Sequence, residues 1–192
     1  MENIYLVFII ILFFLAVSDL IVGVSNDAVN FLNSAVGSRA ASFKWVLFVA
    51  ALGVLIGATF SGGMMEIAWS GIFHPDKFYF SDIMLIFLAV MITDVILLDT
   101  FNTLGLPTST TVSIVFELLG AAVAIAYMKI SHGAEPQAIG EYINSGKALA
   151  IISGILLSVV IAFSVGALIQ YITRLLFTFN YYKRFKYFGA IF

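Results

Sequence analysis

The chain has 192 residues, 62% hydrophobic and only 10% charged, with a net charge of −2, whereas roughly 25% of residues are charged in an ordinary soluble domain. That balance excludes a water-soluble globular fold, and no nucleic-acid partner is expected. Without cysteine there is no disulfide or thiolate chemistry, and the two histidines, His74 and His132, lie far apart, so neither a zinc site nor any other cofactor is expected.

Five apolar runs approach the roughly 20 residues that a helix needs to cross the hydrocarbon of a bilayer. The first, 4–24, lacks the basic leader of a signal peptide and carries Glu2 instead, so it reads as a retained span. The second, 45–72, is long, and its Gly62-Gly63 pair marks a point of tilt or breakage. The third, 83–98, is short and extends back into Phe78-Tyr79-Phe80; the fourth and fifth cover 112–128 and 148–172. The expected fold is an all-α integral membrane protein of about five transmembrane helices with re-entrant or broken half-helices. It forms one transmembrane domain over 1–192, in contact with membrane lipids, that ends in an interfacial basic and aromatic segment over 173–192.

Orientation follows from the cytoplasmic excess of Lys and Arg. Arg39 and Lys44 follow the first span, and Arg174, Lys183, Arg184 and Lys186 follow the last. The loop between the second and third spans has only Lys77 beside Asp76 and Asp82. The N-terminus is therefore expected outside and the C-terminus in the cytoplasm, in the inner (cytoplasmic) membrane. The loop 129–147 is assigned outside in spite of its two lysines.

The charges are segregated in a second way. All nine basic residues fall in loops or at span ends, but Asp19, Asp27, Glu66, Asp94, Asp99 and Glu117 lie within or beside apolar segments. A carboxylate buried without a base must be protonated or bound to a cation, because an isolated charge there costs several kcal/mol. Asp99 and Glu66 also suit headgroup depth. Asp27, Asp94 and Glu117 are candidate cation-coupling residues.

Two polar islands interrupt the apolar pattern. In the first, around Ser25-Asn26-Asp27-Ala28-Val29-Asn30, helical spacing puts Asn26, Asp27, Asn30, Asn33, Ser34, Gly37 and Ser38 within an arc of roughly 140°. Asp19 joins that face if the helix runs unbroken from the first span; Gly23 and Ser25-Asn26 favour a break equally well. Amide and carboxylate oxygens so arranged suit a sodium ion, at Asn26, Asp27 and Asn30, or a proton relay. A helix lying in the headgroups is the alternative, although such helices usually carry Lys or Arg on their polar face, and this one has none before Arg39.

The second island, Gly105-Leu106-Pro107-Thr108-Ser109-Thr110-Thr111, reads as the start of a half-helix. Gly105 permits a reversal, Pro107 suits the first helical position, and the hydroxyls of Thr108 to Thr111 lie beside free backbone amides. Such an end attracts phosphate, sulfate or carboxylate without a basic side chain, and transporters place discontinuous helix ends of this kind near the bilayer midplane. Ser113 and Glu117 share a helix face with Thr110. The competing reading is an ordinary Pro-initiated span whose hydroxyls bond back to carbonyls.

Together the islands resemble two elements of the inorganic phosphate transporter (PiT) family. Ser25-Asn26-Asp27-Ala28-Val29-Asn30 with Ala35-Val36-Gly37-Ser38 is similar to its G-A-N-D-V-A-N…A-V-G-S element, and Gly105-Leu106-Pro107-Thr108-Ser109-Thr110-Thr111-Val112-Ser113-Ile114-Val115 to its G-L-P-V-S-T-T-H-S-I-V element. The order and spacing cover most of the chain, most like a bacterial member. The resemblance implies a symporter that moves inorganic phosphate with sodium or protons, built from inverted repeats whose half-helices meet around the substrate. It implies phosphate binding by Asp27, Ser109, Thr110 and Thr111, with Asn26, Asp27, Asn30, Asp94 and Glu117 serving the cation. Val112 stands where the family often has histidine and Ser25 replaces an alanine, which bears on the coupling ion. The family's second set of N-D and P-x-S elements does not occur, so the chain is expected to be the N-terminal repeat of a longer transporter, or else to pair with a second copy of itself.

Hydrogen phosphate can donate a proton to an ionised Asp27, and sulfate at neutral pH cannot, which gives selectivity by repulsion. A cation channel or exchanger would account for the acids without an anion. A structural subunit of a membrane complex would account for the Gly53/Gly57 spacing. An enzyme is not expected, since no nucleophile, base or metal cluster can be assembled from these residues.

Overall fold

Apolar segments in hydrocarbon must satisfy every backbone amide internally, and this chain does so with helices. The computed structural model describes residues 2–62, 71–133, 138–179 and 181–188. Its helices are α1 (Glu2–Gly37), α2 (Phe43–Thr59), α3 (Phe80–Leu104), α4 (Thr110–Ser131), α5 (Ser145–Phe177) and α6 (Tyr181–Phe188), with 3₁₀ turns at Pro75–Lys77 and Ile139–Glu141. Four of these, α1, α3, α4 and α5, are long and apolar enough to cross a membrane, and α2 is a shorter apolar helix. No residue in the most apolar stretch of α1 is fully buried, and Phe13, Phe14 and Leu20 are each about two-thirds exposed. Lipid is the solvent that fits such a surface.

One open question is settled and two expectations are corrected. The first span and the first polar island form one unbroken helix of 36 residues; Gly23 does not interrupt it, and Asp19 is therefore on the same rod as Asn26. The expected second span, 45–72, contains α2 only as far as Thr59, after which Phe60 and Ser61 turn back onto the Gly57 and Ala58 carbonyls. Its part over 63–70, with Glu66, lies outside the described residues. The second correction concerns α4, which is no half-helix. It runs for 22 residues from Thr110, with Ser109 as its N-cap, so Pro107 belongs to the connection and not to the first helical turn.

The chain divides into two compact units, Met1–Ala148 and Leu149–Phe192. In the first, α3 packs against both α1 and α4. The buried positions of α4, Val115, Leu118, Ala122 and Ala126, follow helical spacing on one face, and the last two are alanines with no exposed surface, small enough to let a neighbouring backbone approach. At one end of this unit the loops pair: Phe73 bridges Ile143, the His74 amide donates to the Tyr142 carbonyl at 2.9 Å, and the Asn144 amide to the Ile72 carbonyl at 3.0 Å. Phe78 packs edge-on against both Phe73 and Tyr142. Beside them Lys129, in the last turn of α4, donates to Asp82 Oδ2 at 2.8 Å and lies over the Tyr79 ring. Asp82 in turn accepts the Tyr79 amide at 3.0 Å, closing the N-terminus of α3.

At the other end, α3 stops at Gly105, whose φ of 67° is left-handed. The Gly105 amide donates to the Asn102 carbonyl and the Leu106 amide to the Phe101 carbonyl, at 3.1 and 2.9 Å. This is the Schellman closure that a glycine permits, and it returns the chain into α4 within a few residues. In the second unit, Arg184 of α6 donates to the Leu175 and Leu176 carbonyls at the end of α5, and Tyr181 stacks on Phe185. Lys183 and Lys186 remain exposed.

Candidate functional site

The site is built where α1 passes the α3–α4 connection. Asn26, only 2% exposed, donates its Nδ2 to Asn102 Oδ1 at 2.9 Å. Asn102 donates its own Nδ2 to the Val22 carbonyl at 3.2 Å. One turn along α1, Asn30 donates to Asn26 Oδ1 at 3.4 Å and to the Thr108 carbonyl at 3.0 Å. A cavity of about 220 Å³ opens over these amides, lined by Asn26, Val29, Asn30, Asn33, Asn102, Gly105, Leu106 and Pro107. Its polar lining is uncharged.

Asp27, the next residue of α1, points elsewhere. Its half-buried carboxylate accepts the Thr110 hydroxyl, with Oγ1 at 3.3 and 3.4 Å from the two oxygens. The expected sodium ligands are thus divided: Asn26 and Asn30 face Asn102 and the connection, and Asp27 faces the start of α4. Successive helical residues point about 100° apart, and both directions are filled here because α3 and α4 lie side by side against α1.

Among the expected phosphate ligands, Thr110 is engaged by Asp27. Ser109 Oγ accepts the Val112 amide at 3.4 Å as N-cap. Thr111 is exposed and makes no side-chain hydrogen bond among the described residues. The Ser113 amide returns to the Ser109 carbonyl, so the amides of Thr110 and Thr111 have no backbone acceptor of the helical kind. They point from the positive end of a 22-residue helix.

A second polar layer lies about 10 to 12 Å deeper along the same three helices, from a rise of about 1.5 Å per residue over seven or eight residues. Asp94 of α3 is 1% exposed. Ser113 Oγ stands 2.6 Å from Asp94 Oδ1 and 2.8 Å from Glu117 Oε1. Asp19 of α1 lies near Asp94 and Glu117. Glu117 Oε2 and Asp19 Oδ1 are buried without a hydrogen-bond partner among the described residues. Ser113 has one hydrogen to give and two carboxyl oxygens at bonding distance, so one carboxyl must carry a proton or a cation must sit among them. Among the described residues no group of three or more His, Cys, Asp or Glu side chains is arranged to hold a metal ion. Asp99, by contrast, is exposed and apart from both layers.

Asn102 is the residue of the candidate site that the sequence patterns did not single out. Its signal is slight: one amide side chain in the apolar run 83–104, three residues ahead of Gly105.

The geometry thus brings together residues of the two islands, an anion-attracting helix start and a set of acids without bases. Neither a curated protein nor a solved structure matches the chain. The model of the phosphate transporter family matches residues 23–191, which include both islands. The chain belongs to the phosphate transporter family, a family of membrane transporters.

Proposed function

We propose that this protein is a secondary transporter that moves inorganic phosphate across the inner membrane together with a sodium ion or a proton. The observation that carries the reading is the meeting of Asp27 with Thr110 at the start of α4. Free amides of Thr110 and Thr111, with the hydroxyls of Ser109 and Thr111, offer donors to a phosphate, and the Asp27 carboxylate stands beside them. Hydrogen phosphate can donate its O–H to the Asp27 carboxylate as a hydrogen bond that offsets the repulsion, but sulfate has no hydrogen to donate, so the acid selects for phosphate.

The cation belongs to one of the two layers. Asp94 and Glu117, with Ser113 and Asp19, have the chemistry of a proton site: carboxyl oxygens within bonding distance of one shared hydroxyl, and no base. The amide layer, Asn26 and Asn30 with Asp27 adjacent, has the chemistry of a sodium site. We favour the proton, because the shared Ser113 hydrogen leaves the acid layer one proton or cation short, whereas the amide layer is already bonded end to end. Asn30, Asn33 and Thr111 are exposed, so a further set of helices, from a second repeat or a second copy of the chain, would close the site and rock against this one. We infer an N-terminus outside and a C-terminus in the cytoplasm from the Lys and Arg that follow the first and last spans.

Uptake of labelled phosphate by proteoliposomes, under imposed proton and sodium gradients, tests the reading. An inward proton gradient should drive uptake that sulfate does not inhibit. Drive by sodium alone would move the cation site to the amides, and cation flux indifferent to phosphate would make the protein a channel or exchanger, which the acid layer alone would also permit.

A further inference from the structure

The three asparagines form a chain of bonds whose direction is set from both ends. At one end is the Val22 carbonyl and at the other the Thr108 carbonyl, and a backbone carbonyl only accepts. Asn102 must therefore turn its NH₂ to Val22 and its Oδ1 to Asn26; Asn26 must answer with its NH₂, which leaves its Oδ1 for Asn30; and Asn30 gives its two hydrogens to Asn26 and Thr108. Each amide orientation follows from the one before. One N–H of Asn26 and one of Asn102 remain unassigned, as does Oδ1 of Asn30, and all three residues line the 220 Å³ cavity beside the start of α4.

We propose that Asn102 is a positioning residue for substrate binding: from α3 it fixes the direction of this relay, and so decides that Asn26 presents N–H to the cavity and that Asn30 holds the Thr108 connection at the start of α4. The inference rests on the phosphate-transport reading above. Without Asn102 the Asn26 amide keeps only the long 3.4 Å bond from Asn30, too weak to hold it against a flip that presents its carbonyl, which repels an oxyanion. Release of Asn30 from its place would also let the segment carrying Ser109 and Thr110 drift from Asp27. The effect therefore falls on affinity more than on turnover.

The test uses Asn102→Asp, which keeps size but cannot donate to Val22 when ionised, and Asn102→Leu, which removes both bonds. Phosphate uptake kinetics and hydrogen–deuterium exchange are measured on the same full-length preparations. The inference requires a rise in KM of roughly five- to tenfold in both variants with Vmax within about twofold, and faster exchange confined to 105–113. It is overturned by an unchanged KM, by a fall in Vmax alone, or by exchange over 105–113 that matches wild type. Should Asn102→Leu raise exchange throughout, it is misfolded, and Asn102→Asp decides. If the wild-type protein itself takes up no phosphate, the transport reading fails and carries this inference with it. Wild-type uptake with unmoved variant KM sinks the inference alone.

Discussion

Ser113 Oγ lies 2.6 Å from Asp94 Oδ1, on a helix neighbouring the one that carries the acid, and the same oxygen is 2.8 Å from Glu117. A hydroxyl between two carboxyls can donate to one of them only, so the other is left to a proton or a cation, and the two acids share one hydrogen-bonding centre.

Neutralising one acid should therefore uncouple transport without abolishing substrate binding. In Glu117→Gln, uptake driven by a proton gradient is expected to fall about tenfold or more, the range of a coupling free energy of about 1–3 kcal/mol. Phosphate counterflow, which needs no net proton movement, should persist. Comparison of gradient-driven uptake with counterflow in one preparation checks this; equal losses in both would assign Glu117 a role in holding the fold.

Asp27→Asn should weaken discrimination and not merely activity. The amide keeps a partner for Thr110 but carries no negative charge to repel sulfate, and its NH₂ can donate to either anion. The preference for phosphate over sulfate is expected to drop roughly tenfold or more, as for the loss of a hydrogen bond to a charged group. Competition of unlabelled sulfate against labelled phosphate measures it, and an intact preference would remove Asp27 from the selectivity argument.

Gly105 adopts φ 67°, where a side chain is strained by about 1–2 kcal/mol. Gly105→Ala should lower the thermal stability of the detergent-purified protein by about that amount. It should also raise the KM for phosphate, because the same turn sets the start of α4. A melting curve and an uptake curve on one preparation separate the two effects.

At the opposite end of the unit, Asp82 closes α3 and pairs with Lys129, both side chains less than one-fifth exposed. Asp82→Ala removes a cap and leaves the lysine unpaired, with an expected loss of about 1–2 kcal/mol. Phosphate KM should not change, since the substitution lies the length of α4 from the cavity. A shift in KM without a shift in melting would contradict this division of labour.

The polar islands and the baseless acids were legible in the sequence because hydrocarbon makes any polar string conspicuous. Periodicity placed Asn26, Asp27 and Asn30 on one face, but it could not say that α3 and α4 would divide that face between them. That division depends on which helices pack against α1, a tertiary choice. Pro107 suggested a helix start three residues too early, because Ser109 caps the helix with its own hydroxyl and Asn30 holds the Thr108 carbonyl outside it. Asn102 escaped notice because a single amide has no period; its meaning comes from Asn26, 76 residues earlier in the chain.

The unbroken course of α1 has a mechanical consequence. Asp19 and Asn26, seven residues apart, lie almost in line on one side of a single rigid rod, one in each polar layer. Had the helix broken at Gly23, each layer could have rearranged alone. As a lever without a joint, α1 cannot roll or tilt to re-aim its amides without dragging Asp19 past Asp94. In the transport cycle we propose, loading the deep layer and opening the shallow one would be two ends of one displacement.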